Sequence, residues 1–148
     1  MTTVLVLNGP NLNLLGQREP EIYGSQSLAD VEDLCEKTAA ELGWKLDFRQ
    51  SNHEGELVGW IQQAGRDQQA GELAGAVINA GALTHTSIAL ADAIAGSQLR
   101  AIEVHISNVH KREAFRNHSY LSAVSAGIVI GFGPTGYQLA IRGLHALL

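Results

Sequence analysis

The sequence predicts an α/β fold, a doubly wound sheet of five parallel strands with helices on both faces. Three observations carry this reading. Short apolar runs alternate with amphipathic stretches from end to end. Several runs are apolar throughout, as strands buried on both faces require. The 148 residues suit one domain of this kind, and no linker, repeat or low-complexity tract divides them.

The elements follow in order. Val4–Asn8 (VLVLN) reads as a central strand, and a polar loop rich in Gly, Asn and Pro then runs to Gln26. Ser27 with Asp30 three residues on forms a capping signal, and Leu28, Val31, Leu34, Cys35, Ala39 and Leu42 follow at helical spacing until Gly43. Trp44–Gln50 alternates, with Trp44, Leu46 and Phe48 on one face and Lys45, Asp47 and Arg49 on the other. A helix over Glu56–Gln69 presents Leu57, Trp60, Ile61 and Ala64 on one side. Ala74–Asn79 is the third strand, Thr86–Ala95 a helix ended by Gly96, Leu99–Val104 the fourth strand and Gly127–Phe132 the fifth. The last helix opens at Pro134, a favoured first-turn position, and turns Tyr137, Ala140, Ile141, Leu144 and Leu147 inward. Right-handed crossovers at this length favour a flavodoxin-like open sheet, order 2-1-3-4-5, with residues 1–148 as a single domain.

Composition excludes several function classes. The net charge is -5 and no basic run exists, so nucleic acid is not an expected partner. No apolar run approaches the ~18–20 residues of a membrane span, and the N-terminus lacks a secretion-type pattern. The single cysteine, Cys35, forms no intramolecular disulfide and falls on an apolar helix stripe, as a core residue does. A cytoplasmic protein without membrane partners is expected. Of seven arginines, Arg18, Arg112 and Arg116 fall in two loops expected to face each other, which suggests a small anionic ligand.

Ligands of open α/β sheets bind beyond the carboxyl ends of the strands. That rim collects Asn8, Asn11, Asn13, Arg18 and Tyr23 after strand 1, and Ser51, Asn52, His53 and Glu54 after strand 2. It also collects Asn79, Thr84 and His85 after strand 3, and Glu103, His105, Ser107, Asn108, Arg112 and Arg116 around strand 4. Gly131 and Gly133 follow strand 5.

The first loop, NGPNLNLLG, matches neither GxGxxG nor GxxxxGK[ST], and no GxSxG elbow exists. The six histidines lack metal-site spacing, so no metal is expected. Lys37, Lys45 and Lys111 are the only lysines, and none reads as a buried Schiff-base former. What remains is a set of Tyr, Arg, His and Asn side chains. Imidazole exchanges protons near neutral pH. A guanidinium held against a tyrosine oxygen favours the phenolate by roughly 1–3 pKa units. Arg18 and Tyr23 lie five residues apart in one loop and can converge. This points to proton abstraction beside a carbonyl, with a histidine as the complementary acid.

Five long stretches carry a family resemblance: LNGPNLNLLGQREPEIYG (Leu7–Gly24), QSNHEGELVGWI (Gln50–Ile61), INAGALTHTSIALADA (Ile78–Ala93), EVHISNVHKREAFRNHSY (Glu103–Tyr120) and GFGPTGYQLA (Gly131–Ala140). They closely resemble the type II 3-dehydroquinate dehydratases, the small dehydroquinases of the shikimate pathway. The resemblance implies a flavodoxin-like subunit in a homododecamer, a tetramer of trimers. It implies a lyase acting at the third step toward chorismate and the aromatic amino acids. The reaction would be a reversible anti dehydration of 3-dehydroquinate to 3-dehydroshikimate through an enolate, with no cofactor.

By motif match, Tyr23 is the base at C2, Arg18 keeps it ionised and Arg112 adds to the electropositive setting. His105 is the acid at the C1 hydroxyl, and Asn11 orients a water against the enolate oxygen. Asn79, His85, Ile106, Ser107 and Arg116 bind substrate, with the Ile106 and Ser107 amides on its carboxylate. Asp92 serves a neighbouring subunit. The sequence departs from the family pattern at Ala80, where proline is usual, and at Leu83, where an aromatic is common. A non-catalytic flavodoxin-like module that binds a small anion is the alternative reading of the same arginines.

Overall fold

A computed structural model of the chain describes every residue except Arg18, and for Pro20 and Tyr23 the backbone alone. Five strands, β1 (Thr3–Asn8), β2 (Lys45–Gln50), β3 (Leu73–Asn79), β4 (Ala101–His105) and β5 (Gly127–Ile130), form one sheet in the order 2-1-3-4-5. All neighbouring pairs are parallel, with Asn8 level with Gln50 on one side and Asn79 on the other. The expected sheet is therefore observed. Helices α2 (Leu28–Glu41) and α5 (Thr135–Ala146) cover one face, and α3 (Glu54–Gln69) and α4 (Ile88–Ser97) the other. A single turn, α1 (Pro20–Tyr23), lies in the loop after β1.

Strand alternation divides the core into two layers. Val4, Val6, Val77, Ile102 and Val104 pack with Val31, Cys35, Tyr137, Ile141 and Leu144 on the α2/α5 side. Leu5, Leu7, Ala76, Ile78 and Ala101 pack with Leu57, Ile61, Leu90 and Ile94 on the α3/α4 side. Cys35 is fully buried, and burial, with the charge of Glu32 adding, pushes its thiol up to about 12. It is a core residue, as its stripe position indicates. The α2 capping box forms in both directions: the Asp30 amide donates to Ser27 Oγ at 3.2 Å, and the Ser27 amide to Asp30 Oδ2 at 2.9 Å.

Boundaries differ at several ends. Helix α4 runs through Gly96 and stops at Gln98, which itself adopts the left-handed conformation (φ 55°). The Thr86 start gives way to a 3-10 turn, Gly81–His85, with Ser87 capping Leu90. Helix α3 begins at Glu54, two residues before the expected Glu56. Strand β5 ends at Ile130, because Gly131 turns away at φ 90°. Strand β4 is shifted toward the carboxyl end and includes His105, and this shift shapes the site.

Candidate active site

A cleft of about 130 Å³ opens beyond the carboxyl ends of β1, β3 and β4. The loop after β1 supplies Pro10, Asn11, Leu12 and Leu15; Asn79, Gly81 and Ala82 follow from β3; β4 and the segment beyond it give His105, Ile106, Ser107, Val109, Arg112 and Arg116. The two loops expected to face each other do so across this cleft.

Three local devices shape its walls. First, Gly9 and Ala80 approach so closely that a Cβ on Gly9 would collide with the Ala80 carbonyl, so only glycine allows β1 and β3 to deliver their loops side by side. Second, the Asn11 amide donates to Asn52 Oδ1 at 3.0 Å, while Gln50 Nε2 donates to Asn52 Oδ1 and to the Gly9 carbonyl, each at 3.1 Å. The exit of β2 thus pins the first loop, with Asn11 left-handed at φ 70°. Third, Asn8 and Asn79 fall on the same strand face as Tyr137. The Tyr137 hydroxyl donates to Asn8 Oδ1 at 2.7 Å and accepts from Asn79 Nδ2 at 2.9 Å. Asn79 Oδ1 accepts from the Gly81 amide at 3.2 Å, which fixes both ends of the Asn79 side chain.

His105 and Glu103 are two residues apart on one strand and so share a face. His105 Nε2 meets Glu103 Oε2 at 2.5 Å, and both side chains are buried. Burial pushes the Glu103 carboxyl up, but hydrogen bonds from His105, Ser122 and Ser119 outweigh it and hold the group below the usual carboxylate value. With Nε2 engaged by a carboxylate, Nδ1 is the nitrogen left to hand a proton to a ligand. The His85 ring stacks beside His105, centroids 6.4 Å apart, and its Nδ1 donates to the His118 carbonyl at 2.8 Å.

The basic wall carries its own acidic brace. Arg116 Nε bonds Glu113 Oε2 at 2.8 Å, and Arg112 Nε lies 3.9 Å from the same oxygen. Arg112 also reaches Ser107 Oγ at 3.4 Å. Among the described residues, neither the Ile106 nor the Ser107 amide donates to another backbone group. Two consecutive N–H groups beside two arginines suit a carboxylate.

Of the expected site residues, Asn11, Asn79, His105, Ile106, Ser107, Arg112 and Arg116 line the cleft, and His85 stands behind His105. Asp92 does not line it; it is exposed on α4 in a separate groove with Gln62 and Arg66. Arg18 and the Tyr23 side chain lie outside the described residues, although the Tyr23 backbone closes α1. Glu103, counted among the residues around strand 4, lies within β4 and is buried. Its pairing with His105 was readable from their i, i+2 spacing. Ser119 and Tyr137, which lie inside two of the resembling stretches, and Ser122, which lies in none, joined the site without a role assigned to them from sequence. Among the described residues, no group of three or more His, Cys, Asp or Glu could hold a metal, and no helix could cross a membrane.

A family model for class II dehydroquinases matches residues 2–145. The chain is 62% identical to the 3-dehydroquinate dehydratase of Acidovorax sp. (strain JS42), covering 96% of each chain. It is 60% identical to that of Marinomonas sp. (strain MWYL1), covering 97% of this chain and 96% of the other. Its fold matches the crystal structure of the type II dehydroquinase from Butyrivibrio crossotus with a TM-score of 0.92, at 41% identity over 97% of each chain. The strand order, the cleft and these matches agree, and the chain belongs to the class II dehydroquinase family.

Proposed function

We propose that the chain dehydrates 3-dehydroquinate to 3-dehydroshikimate, reversibly and with anti geometry, through an enolate, at the third step of the shikimate pathway. Family membership supports the substrate. The observation that carries the mechanism is the buried His105–Glu103 pair at the cleft. Tyr23, ionised beside Arg18, takes the C2 proton, and the electron pair moves onto the carbonyl oxygen. As the enolate collapses, the C1–O bond breaks. His105 gives its Nδ1 proton to the departing hydroxyl, which leaves as water, and keeps its Nε2 proton, hydrogen-bonded to the Glu103 carboxylate. The Glu103 charge balances the imidazolium needed before that transfer.

Asn11 orients a water toward the enolate oxygen. Asn79 and His85 hold the ring of the substrate, and the Ile106 and Ser107 amides with Arg112 and Arg116 hold its carboxylate. Asp92 completes the site of a neighbouring subunit in a trimer, four trimers making a dodecamer; its exposed position outside its own cleft supports this. Residues 1–148 act as one catalytic domain, in the cytoplasm. A non-catalytic anion-binding module gives the buried His105–Glu103 pair no role.

The test is ultraviolet absorbance after adding 3-dehydroquinate, since dehydration creates a conjugated enone. Wild-type protein gains the band. Tyr23→Phe and His105→Ala, folded by circular dichroism, gain it at least ~10²-fold more slowly. A Tyr23→Phe rate within about threefold of wild type removes Tyr23 from the mechanism.

A further inference from the structure

A carboxylate as enclosed as Glu103, 1% exposed, needs donors on both oxygens. His105 accounts for one on Oε2. Ser119 Oγ donates to the same oxygen at 2.8 Å, and Ser122 Oγ donates to Oε1 at 2.6 Å. Both serines come from the segment after β4. Ser119 is a donor here for a structural reason. Its oxygen already accepts from the Leu121 amide at 3.0 Å and the Ser122 amide at 3.2 Å. A hydroxyl has two lone pairs and one proton, so the proton is what remains for Glu103. A protonated Oε2 would find no acceptor in Ser119 and could give its proton only back to His105 Nε2.

We propose that Ser119 and Ser122 are positioning residues for the dehydration, forming a donor clamp, one-way at Ser119, that keeps Glu103 ionised and in place against His105. The Nε2 proton then stays on His105 rather than passing to Glu103, and the ring keeps the positive charge that makes its Nδ1 proton available to the leaving hydroxyl. This rests on the reading of His105 as the acid. Among the described residues, the titratable group facing Glu103 beyond its strand neighbour His105 is His85 from the Gly81–His85 turn, which Arg116 influences in turn. The flanking strands present Ile78 and Ile128, and the serine segment adds the apolar Leu121 and Val124. Removing a serine hydroxyl therefore takes away one of few groups that favour the charged carboxylate.

The experiment compares kcat and KM against pH for wild type, Ser119→Ala, Ser122→Ala and Ser122→Thr. Each alanine variant is expected to lose about tenfold in kcat with KM little changed. The acid limb of kcat should move up by about one pH unit, and Ser122→Thr should restore both. Folded alanine variants with wild-type kcat and an unmoved limb overturn the clamp. A measurement on the unaltered enzyme covers variants that fail to fold: the infrared carboxyl band of Glu103, assigned by its loss in Glu103→Gln. That band should report carboxylate down to a pH below the ordinary glutamate value, and protonation at or above that value also overturns the proposal. His105→Ala with wild-type kcat would sink the acid assignment alone, because the infrared titration reads the clamp independently.

Discussion

The wholly buried hydroxyl of Tyr137 accepts from Asn79 Nδ2 at 2.9 Å, tying a wall of the cleft to helix α5. The same hydroxyl donates to Asn8 Oδ1, so two buried amides depend on one oxygen. Tyr137→Phe keeps the ring and leaves Asn8 Oδ1 and Asn79 Nδ2 without this partner. It is expected to destabilise the fold by about 1–3 kcal/mol and to raise KM for 3-dehydroquinate more than it lowers kcat. An unchanged urea midpoint with unchanged KM would show that Asn79 holds its place without the tyrosine.

His85 couples pH to stability. Burial lowers its imidazole pKa, and the charges of His105 and Arg116 add to the lowering against the pull of the His118 carbonyl and Glu103. The folded value lies below the unfolded one of about 6.5. The unfolded chain therefore binds the proton first as pH falls. The stability from neutral His85 is present above the unfolded value and lost as pH falls through the folded one. Urea midpoints from pH 8 downward should fall less for His85→Gln than for wild type. Parallel curves would remove His85 from the linkage.

Much of this fold was legible because each element carries its own local signal. The apolar strand runs, the Ser27–Asp30 box and the Leu57–Ile61–Ala64 stripe predicted strands, a helix start and a helix face, and crossover handedness predicted the sheet order. The legible part of the site was the strand-end polar residues, which follow from topology. Contacts between distant segments were not legible. Ser119 and Ser122 reach Glu103 from 16 and 19 residues away, and Tyr137 reaches Asn8 from 129. Nothing in a loop serine shows which buried carboxylate it will meet. The Gly96 stop failed because Gln98 could take the left-handed cap two residues later.

Ala80 occupies a backbone conformation that proline also adopts, φ -78°. Its amide donates to no other backbone group among the described residues, and Asn79 before it is extended, as a residue preceding proline should be. A small apolar void bounded by Ala80, Leu57, Ile61 and Leu90 can accept ring atoms. Ala80→Pro should stabilise the protein by about 0.4–1 kcal/mol, read as a higher urea midpoint with activity retained. A lower midpoint would mean that the ring does not fit this void.

Asp92 gives the test of a shared site. Mixing inactive Tyr23→Phe chains with Asp92→Ala chains, after dissociation and reassembly, creates some sites with an intact Tyr23 and a neighbour's intact Asp92. Activity should exceed the sum of the separately reassembled variants. No gain on mixing would mean that Asp92 serves its own chain or none.

Stereochemistry tests the acid–base assignment most directly, because Tyr23 and His105 act on opposite faces of the substrate only if elimination is anti. The measurement is the mass of 3-dehydroshikimate formed from 3-dehydroquinate deuterated at one C2 position at a time. Deuterium anti to the C1 hydroxyl should be absent from the product, and deuterium syn to it retained. Retention of the anti label would contradict the mechanism.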